Sequence, residues 1–265
     1  MNQCDAGAMA VSSIHESKEI WRAGASAILL KRIARHTILT TDEQKAILSL
    51  TDGEFEVCNH HEVVRVGQSV EFYCLLADGM LARTLDAASG SRQITAFYVP
   101  GEIPDIDTLI MPSTTVSLEA IGSVHIVRIH RAGMHDSIRR FPVLLEAFWR
   151  EAVIDATIAA EWIANVGQQP AMPRIAHLFA EIAVRMDTVR GNAFDFPFPA
   201  TQIQIAQAVG VSPVHANRSL NALREENAMH LRNGTVFVED WAKLTHLAEF
   251  DDKYLSYHDA QRILL

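Results

Sequence analysis

Cysteine is scarce in this sequence: three in 265 residues, Cys4, Cys58 and Cys74. Thiols so few and so scattered exclude a disulfide framework, and they exclude a four-thiolate zinc or iron–sulfur site within one chain. The expectation is reduced thiols in a cytoplasmic protein. Long apolar runs are missing as well, since no stretch approaches the ~20 residues of a membrane-spanning helix. The segment AGASAILL is cut short by Lys31 and Arg32 and lacks a signal-peptide cleavage pattern. Positive charge is in deficit, with a net charge of −9, which on its face argues against a polyanionic partner because phosphate contacts dominate affinity for DNA. Also absent are a Ser/His/Asp set, a phosphate-binding loop and a paired-carboxylate motif. Nothing in the composition suggests disorder, and the length suffices for two domains with their own cores.

What is present changes character along the chain. The first 20 or so residues are rich in Ser, Ala and Gly and read as a loose tail, with a helix from about Ile20 to Arg35. LTTDEQKAILSL reads as a capped helix, Thr41 at the cap and Gln44 three residues on, with Ile47, Leu48 and Leu50 apolar. From Phe55 to about Ile129 come short β-branched and aromatic segments, among them EVVRVG, YCLLADGMLARTL, RQITAFYVPGE and SVHIVRIH. Glycines 67, 79, 90, 101 and 122 punctuate them. That spacing predicts a β-sandwich or jelly-roll barrel and not βαβ units.

After Pro142 the period becomes helical. Leu145, Phe148, Ala152, Ala156, Ala159 and Ile163 repeat at three and four in VLLEAFWREAVIDATIAAEWIANVG, the seam of a helix that packs on another helix. A helix of this length spans roughly 36 Å, more than one small barrel needs to cover it, which favours a parallel dimer helix. AMPRIAHLFAEIAVRM is a further amphipathic helix, FDFPFPAT a proline-rich connector, and FDDKYLSYHDAQRILL a candidate tail helix.

Between connector and tail lies TQIQIAQAVGVSPVHANRSLNALR. Ile205, Ala206 and Val209 recur at helical spacing, Gly210 can adopt φ > 0, and Ser212 with Pro213 opens a second helix. Val211 and Ala216 can pack back on Ile205 and Val209, leaving Val214, His215, Asn217 and Arg218 outward. This is the layout of a helix-turn-helix. HLRNGTVFVED follows, with a hairpin turn at Asn233-Gly234 and alternating Val236 and Val238. Arg232 and Asn233 would sit at the tip of that wing. From Thr201 to Val238, Arg218, Arg224 and Arg232 face Glu225 and Glu226, so the unit carries 3 − 2 = +1 despite the acidic whole.

A β-roll, a long helix and a winged helix in this order resemble the Crp/Fnr superfamily of bacterial transcription regulators, over about Leu30 to Tyr254. The specific parts are Gly67 and Gly79 around YCLLADG, RQITAFYVPGE, FPVLLEAFWRE and TQIQIAQAVGVSPVHANRSLNALRE. The fold expected is α+β: an N-terminal tail and helix over 1–29, a cyclic-nucleotide-binding-like roll over 30–140, a dimerisation helix over 141–168, the winged helix-turn-helix over 169–250 and a tail over 251–265. The resemblance implies a homodimer on a two-fold symmetric DNA site, with recognition helices in successive major grooves. RNA polymerase and an unidentified small-molecule effector are further implied partners.

Arg218 matches the arginine that members of the family hold in the recognition helix, where it can fork onto guanine O6/N7 or phosphate. Val214 stands where a glutamate is common and Asn217 where a small residue is, so Val214 can touch a thymine methyl and Asn217 can pair with adenine. Ser212, His215, Arg232 and Asn233 complete the expected DNA-binding set.

The effector region departs further. In GEIPDIDTLIMPSTTVSLEA, Thr114-Thr115 replace the Arg-Ser pair that neutralises a cyclic phosphate, and Ile106, between Asp105 and Asp107, falls at the place of the ribose glutamate. A phosphate beside two carboxylates and no arginine would be buried at a cost of several kcal/mol, so no tight cyclic AMP binding is expected. Gly101, Glu102, Asp105, Asp107, Thr114 and Thr115 are the candidate effector residues. Haem stays open through Cys58, Cys74, His60 and His61, no other cofactor or metal being expected. The competing class is a metal-dependent jelly-roll enzyme. Against it, His60 and His61 are adjacent and on a strand would point to opposite faces.

Overall fold

The computed structural model describes residues 24–51, 55–59 (backbone only), 62–69, 71–86, 88, 90–111, 113–257 and 260–262. Cys4, His60, His61 and the Ser/Ala/Gly-rich N-terminal stretch lie outside the described residues. The β-rich region forms strands β1 (Phe55–Asn59), β2 (Glu62–Val64), β3 (Phe72–Asp86), β4 (Arg92–Tyr98) and β5 (Ser117–His130). All pairs are antiparallel, in the order β1-β5-β3-β4 with β2 also on β5. The two long strands bend where their register shifts around Asp78, because bulges kink a strand and raise its twist. Gly79 is required at this bend: its φ is 86° and an added Cβ would stand 2.6 Å from the Ser123 carbonyl oxygen.

Alternation along these strands gives the roll two apolar faces. Leu76, Leu81, Tyr98, Leu118, Val124 and Ile126 fill its interior. Tyr73, Leu75, Val127 and Ile129 point the other way, onto Leu29 and Ile33 and onto Met134, Leu144 and Phe148. Helix α1 includes residues 24–33, running across the expected boundary at residue 29. Helix α2 (Thr41–Ser49) is capped one residue earlier than the sequence pattern suggested: Thr40 is extended, its hydroxyl accepts the Glu43 N–H, and the Glu43 carboxylate accepts the Thr40 N–H. Glu43 also holds Arg262 through two 2.8 Å contacts, which fixes the pair Thr40/Glu43 over Thr41/Gln44.

Helix α3 (Arg131–Arg140) leads into α4 (Val143–Gln168), 26 residues long. Then come α5 (Ala171–Arg185), β6 (Phe194–Pro197), α6 (Gln202–Val209), α7 (Pro213–Glu225), β7 (Met229–Arg232), β8 (Thr235–Val238) and α8 (Trp241–Leu247). The expected connector FDFPFPAT contains a strand: Phe194 and Phe196 pair with Val238 and Val236. Proline is tolerated there because β6 is an edge strand in the order β6-β8-β7. Among its described residues the last segment is not the expected tail helix. It makes one 3₁₀ turn, Asp252–Leu255, and then lies beside residue 37 through a Thr37–Gln261 bridge.

The C-terminal helical half is not held at arm's length from the roll. Met80, Ile94, Phe97 and Val99 of the roll share one core with Phe179, Ile182, Phe198 and Ile205. The Gln93 amide donates to the Ala208 carbonyl at 3.3 Å.

Candidate nucleic-acid interface and effector region

Helix α6 opens on a capping box, Thr201 with Gln204, and closes at Gly210 in the left-handed region, φ 66°. Gly210 allows the chain to turn within two residues. Ser212 then caps α7, its hydroxyl accepting the His215 N–H, with Pro213 in the first turn. Ile205, Ala206, Val209, Ala216, Leu220 and Leu223 are buried, and Val211 packs against the same core. The opposite face of α7 is open: Val214 is 62% exposed, and Ser212, His215, Asn217, Arg218 and Asn221 are exposed beside it. Among the described residues Arg218 has no hydrogen-bond or ion-pair partner, so its guanidinium fork is available for an external acceptor.

Asn217 is already engaged. Its amide donates to the Gln202 side chain at 3.0 Å and its oxygen accepts from Asn221 at 3.2 Å. Gln202 and Asn221 thus join the exposed polar surface, and neither was among the residues picked from sequence. Ile203, 59% exposed on α6, is a further apolar contact surface missed the same way. The spacing 217 to 221 is the one helical signal that could have found Asn221. The wing turns at Asn233 (φ 51°) and Gly234 (φ 72°), the two positive dihedrals of a type I′ hairpin, with Arg232 and Asn233 exposed at its tip.

Helix α4 carries two apolar stripes. Phe148 is buried against the roll, which removes it from the expected outward seam. A helix turns about 100° per residue, so its neighbour takes the outward place: Trp149 is 62% exposed. The outward series Leu145, Trp149, Val153, Ala156, Ala160 and Ile163 runs in steps of four and three, the seam of a two-stranded coiled coil, whereas Ala152 packs on the core that holds Phe148. Leu145, Ala156, Ile163 and Val166 are exposed, and Ala152 and Ala159 half-buried.

The six effector candidates do not converge on one cavity. Glu102 is buried between Arg32 (2.9 Å) and Arg185 (2.8 Å). The Asp105 carboxylate accepts the Cys74 N–H at 3.0 Å, and its other oxygen has no partner; burial pushes its carboxyl up to about 6. Asp107 accepts from the Thr115 hydroxyl at 3.2 Å. Thr114 donates to the Arg65 carbonyl, and Gly101 packs against Ile28. Between the roll and α4 the space is occupied by side chains: Arg83 bonds Asp155 at 2.6 Å, and the Tyr98 hydroxyl donates to the same carboxylate at 3.3 Å. A cavity of about 20 Å³ remains there, room for one water. The Cys74 side chain packs inside the roll. Among the described residues no three His, Cys, Asp or Glu side chains are grouped to hold a metal ion, and no helix is long and apolar enough to cross a membrane.

Residues 173–247 match the model of the Crp-like helix-turn-helix domain. Over 180 residues the chain is 23% identical to the nitrogen fixation regulation protein FixK of Bradyrhizobium diazoefficiens, covering 68% of this chain and 75% of that one. It is 22% identical over 197 residues to the transcriptional activator protein FnrL of Cereibacter sphaeroides, covering 71% and 77%. The solved structure of FixK2 from Bradyrhizobium japonicum superposes with a TM-score of 0.65 at 17% identity, covering 73% of this chain and 96% of that one. The chain is thus similar to Crp/Fnr regulators over about 70% of its length.

It is therefore a DNA-binding transcription regulator of the Crp/Fnr type, with a cyclic-nucleotide-binding-like roll and a C-terminal helix-turn-helix. Within this Crp/Fnr regulator the recognition surface is assembled by local sequence. The effector region is assembled by residues far apart, Arg83 with Asp155 and Arg32 with Glu102, and no local motif announced those pairs.

Proposed function

We propose that the protein acts as a homodimer on a two-fold symmetric DNA site, inserting α7 of each protomer into successive major grooves, and that it does so without a cyclic nucleotide. The observation that carries this reading is the open face of α7, where Arg218, without a partner among the described residues, stands beside exposed Val214, His215 and Asn217. Arg218 reads guanine or grips phosphate, Val214 meets a thymine methyl, and Asn217 reaches adenine once it releases Gln202. Ser212 and His215 at the start of α7, with Arg232 and Asn233 on the wing, meet the phosphate backbone. The heptad stripe on α4 supplies the dimer contact. Once bound, the dimer acts on transcription through RNA polymerase.

Charge allocation fits this mode of binding. The whole chain is acidic, but the helix-turn-helix and wing carry a surplus of cations, so the attractive field for DNA is confined to the face that must dock. Arg83, Tyr98 and Asp155 fill the space between roll and α4, so this region contributes rigidity in place of ligand binding.

The test is an in-solution selection of bound genomic fragments with purified, unliganded protein at stated salt. Recovery of a palindrome with half-sites one helical turn apart is expected. Folded, dimeric protein that selects nothing would overturn the reading.

A further inference from the structure

Where the DNA-binding half meets the roll, the junction contains a cluster of charges withdrawn from water. Arg185, near the end of α5, has a side chain 1% exposed. Its Nε donates to Glu102 Oε1 at 3.1 Å and its Nη2 to Glu102 Oε2 at 2.8 Å, a side-on fork onto one carboxylate. Nη1 donates to Glu181 at 2.8 Å and Nη2 also to the Phe97 carbonyl at 2.6 Å. Glu102 lies on the turn that ends β4, so the roll and α5 are joined directly.

The cluster extends to every neighbouring element. Arg32 of α1 reaches Glu102 at 2.9 Å and Glu151 of α4 at 2.6 Å. His36 meets the other Glu151 oxygen at 2.6 Å. Glu181, fully buried, accepts from the Trp162 indole of α4 at 3.0 Å and from the Tyr254 hydroxyl at 2.9 Å. The Tyr257 ring covers Arg32 at 5.6 Å. Five segments thus end on two arginines and three glutamates.

Such a cluster is a poor way to gain stability, since desolvating several ions offsets most of their attraction. What it supplies is direction. A hydrophobic contact tolerates sliding, whereas a guanidinium with fixed donor positions accepts one geometry. We infer that Glu102 and Arg185 are positioning residues for DNA recognition: their fork sets the angle of the winged helix on the roll, and with it the half-site spacing that a dimer reads. This rests on the dimeric, palindrome-binding reading above. The fork stands where the protein's own side chains meet, so the spacing is fixed without a ligand.

The test uses the full-length protein with Glu102→Gln and Arg185→Lys, the second keeping the charge and losing the fork. Binding is measured by fluorescence anisotropy on the selected palindrome, on the same palindrome lengthened by one or two base pairs, and on random duplex. Folding and dimer mass are checked by circular dichroism and light scattering. Affinity for the correctly spaced site should fall about 10-fold, an ordinary coupling effect. Preference over the lengthened sites should fall with it, while affinity for random duplex stays constant. A loss confined to stability moves no spacing preference. Folded variants that keep the wild-type preference, or that bind more tightly, overturn the inference. If both variants unfold, Tyr254→Phe removes one hydrogen bond to Glu181 and should show the same change at about 3-fold; an unaltered preference there overturns it equally. Wild-type protein that selects no palindrome would instead overturn the dimeric reading.

Discussion

Single side chains separate the roles of this protein most sharply. Arg218 is exposed and unpartnered among the described residues, so Arg218→Ala costs the fold little and removes about 1–3 kcal/mol of binding with relaxed preference at one base pair. Mobility shifts on point-substituted sites would show this; an equal loss on every sequence would make Arg218 a phosphate contact only. Asp105 behaves oppositely. Its burial holds the carboxyl at about 6, above the ordinary 3.8, so the native state binds this proton more tightly than the unfolded chain. Stability from this residue is greatest below pH ~4, falls as pH rises toward ~6 and is level beyond. Asp105→Asn should therefore raise stability at pH 8 by up to about 3 kcal/mol and flatten that slope in urea titrations. Glu151 opposes it: burial pushes its carboxyl up, but Arg32 and His36 overcome this and hold it at about 2, so its contribution is present above pH ~4.5 and lost as pH falls toward ~2.

Elements were legible to different degrees. Helices α6 and α7, with the Asn233-Gly234 hairpin, follow from local signals, because caps, a left-handed glycine and a primed turn act over four residues or fewer. Strand β6 was not legible, since a proline-rich segment becomes a strand only when β8 offers a partner. On α4 the period showed a seam, but apolar residues lie on two stripes, and sequence does not say which the roll covers. Phe148 turned inward and Trp149 outward. Trp149→Asp should accordingly convert the dimer to monomer at micromolar concentration in light scattering and leave the helical circular dichroism intact, because this residue faces away from its own core. A variant that remains dimeric would place the interface elsewhere.

At the scale of the molecule, the roll keeps the architecture of a ligand-binding domain, with a cavity of about 310 Å³ beside Cys74, Asp105 and Arg128, but the gap between roll and α4 is closed. Arg83, Tyr98 and Asp155 occupy the gap between roll and α4, leaving about 20 Å³. Calorimetry with cyclic AMP and cyclic GMP should show no affinity at micromolar levels, because the phosphate would meet Asp105 and Asp107 without the Arg-Ser pair; such an affinity would mean that the roll cavity beside Asp105 and Arg128 admits the ligand.

The sequence by itself determined the succession of β-rich region, long helix and winged helix, the helix-turn-helix with its outward Arg218, and the wing. These rest on interactions between residues close in the chain or on residue identity alone. Only the tertiary structure decided that Glu102 faces Arg185 and Arg32 across 83 and 70 positions of sequence, that Asp105 is held away from water, and that α4 turns Trp149 outward. The physical reason is that burial and ion pairing depend on which surfaces meet, and the periodicity of one segment carries no information about the segment that will cover it.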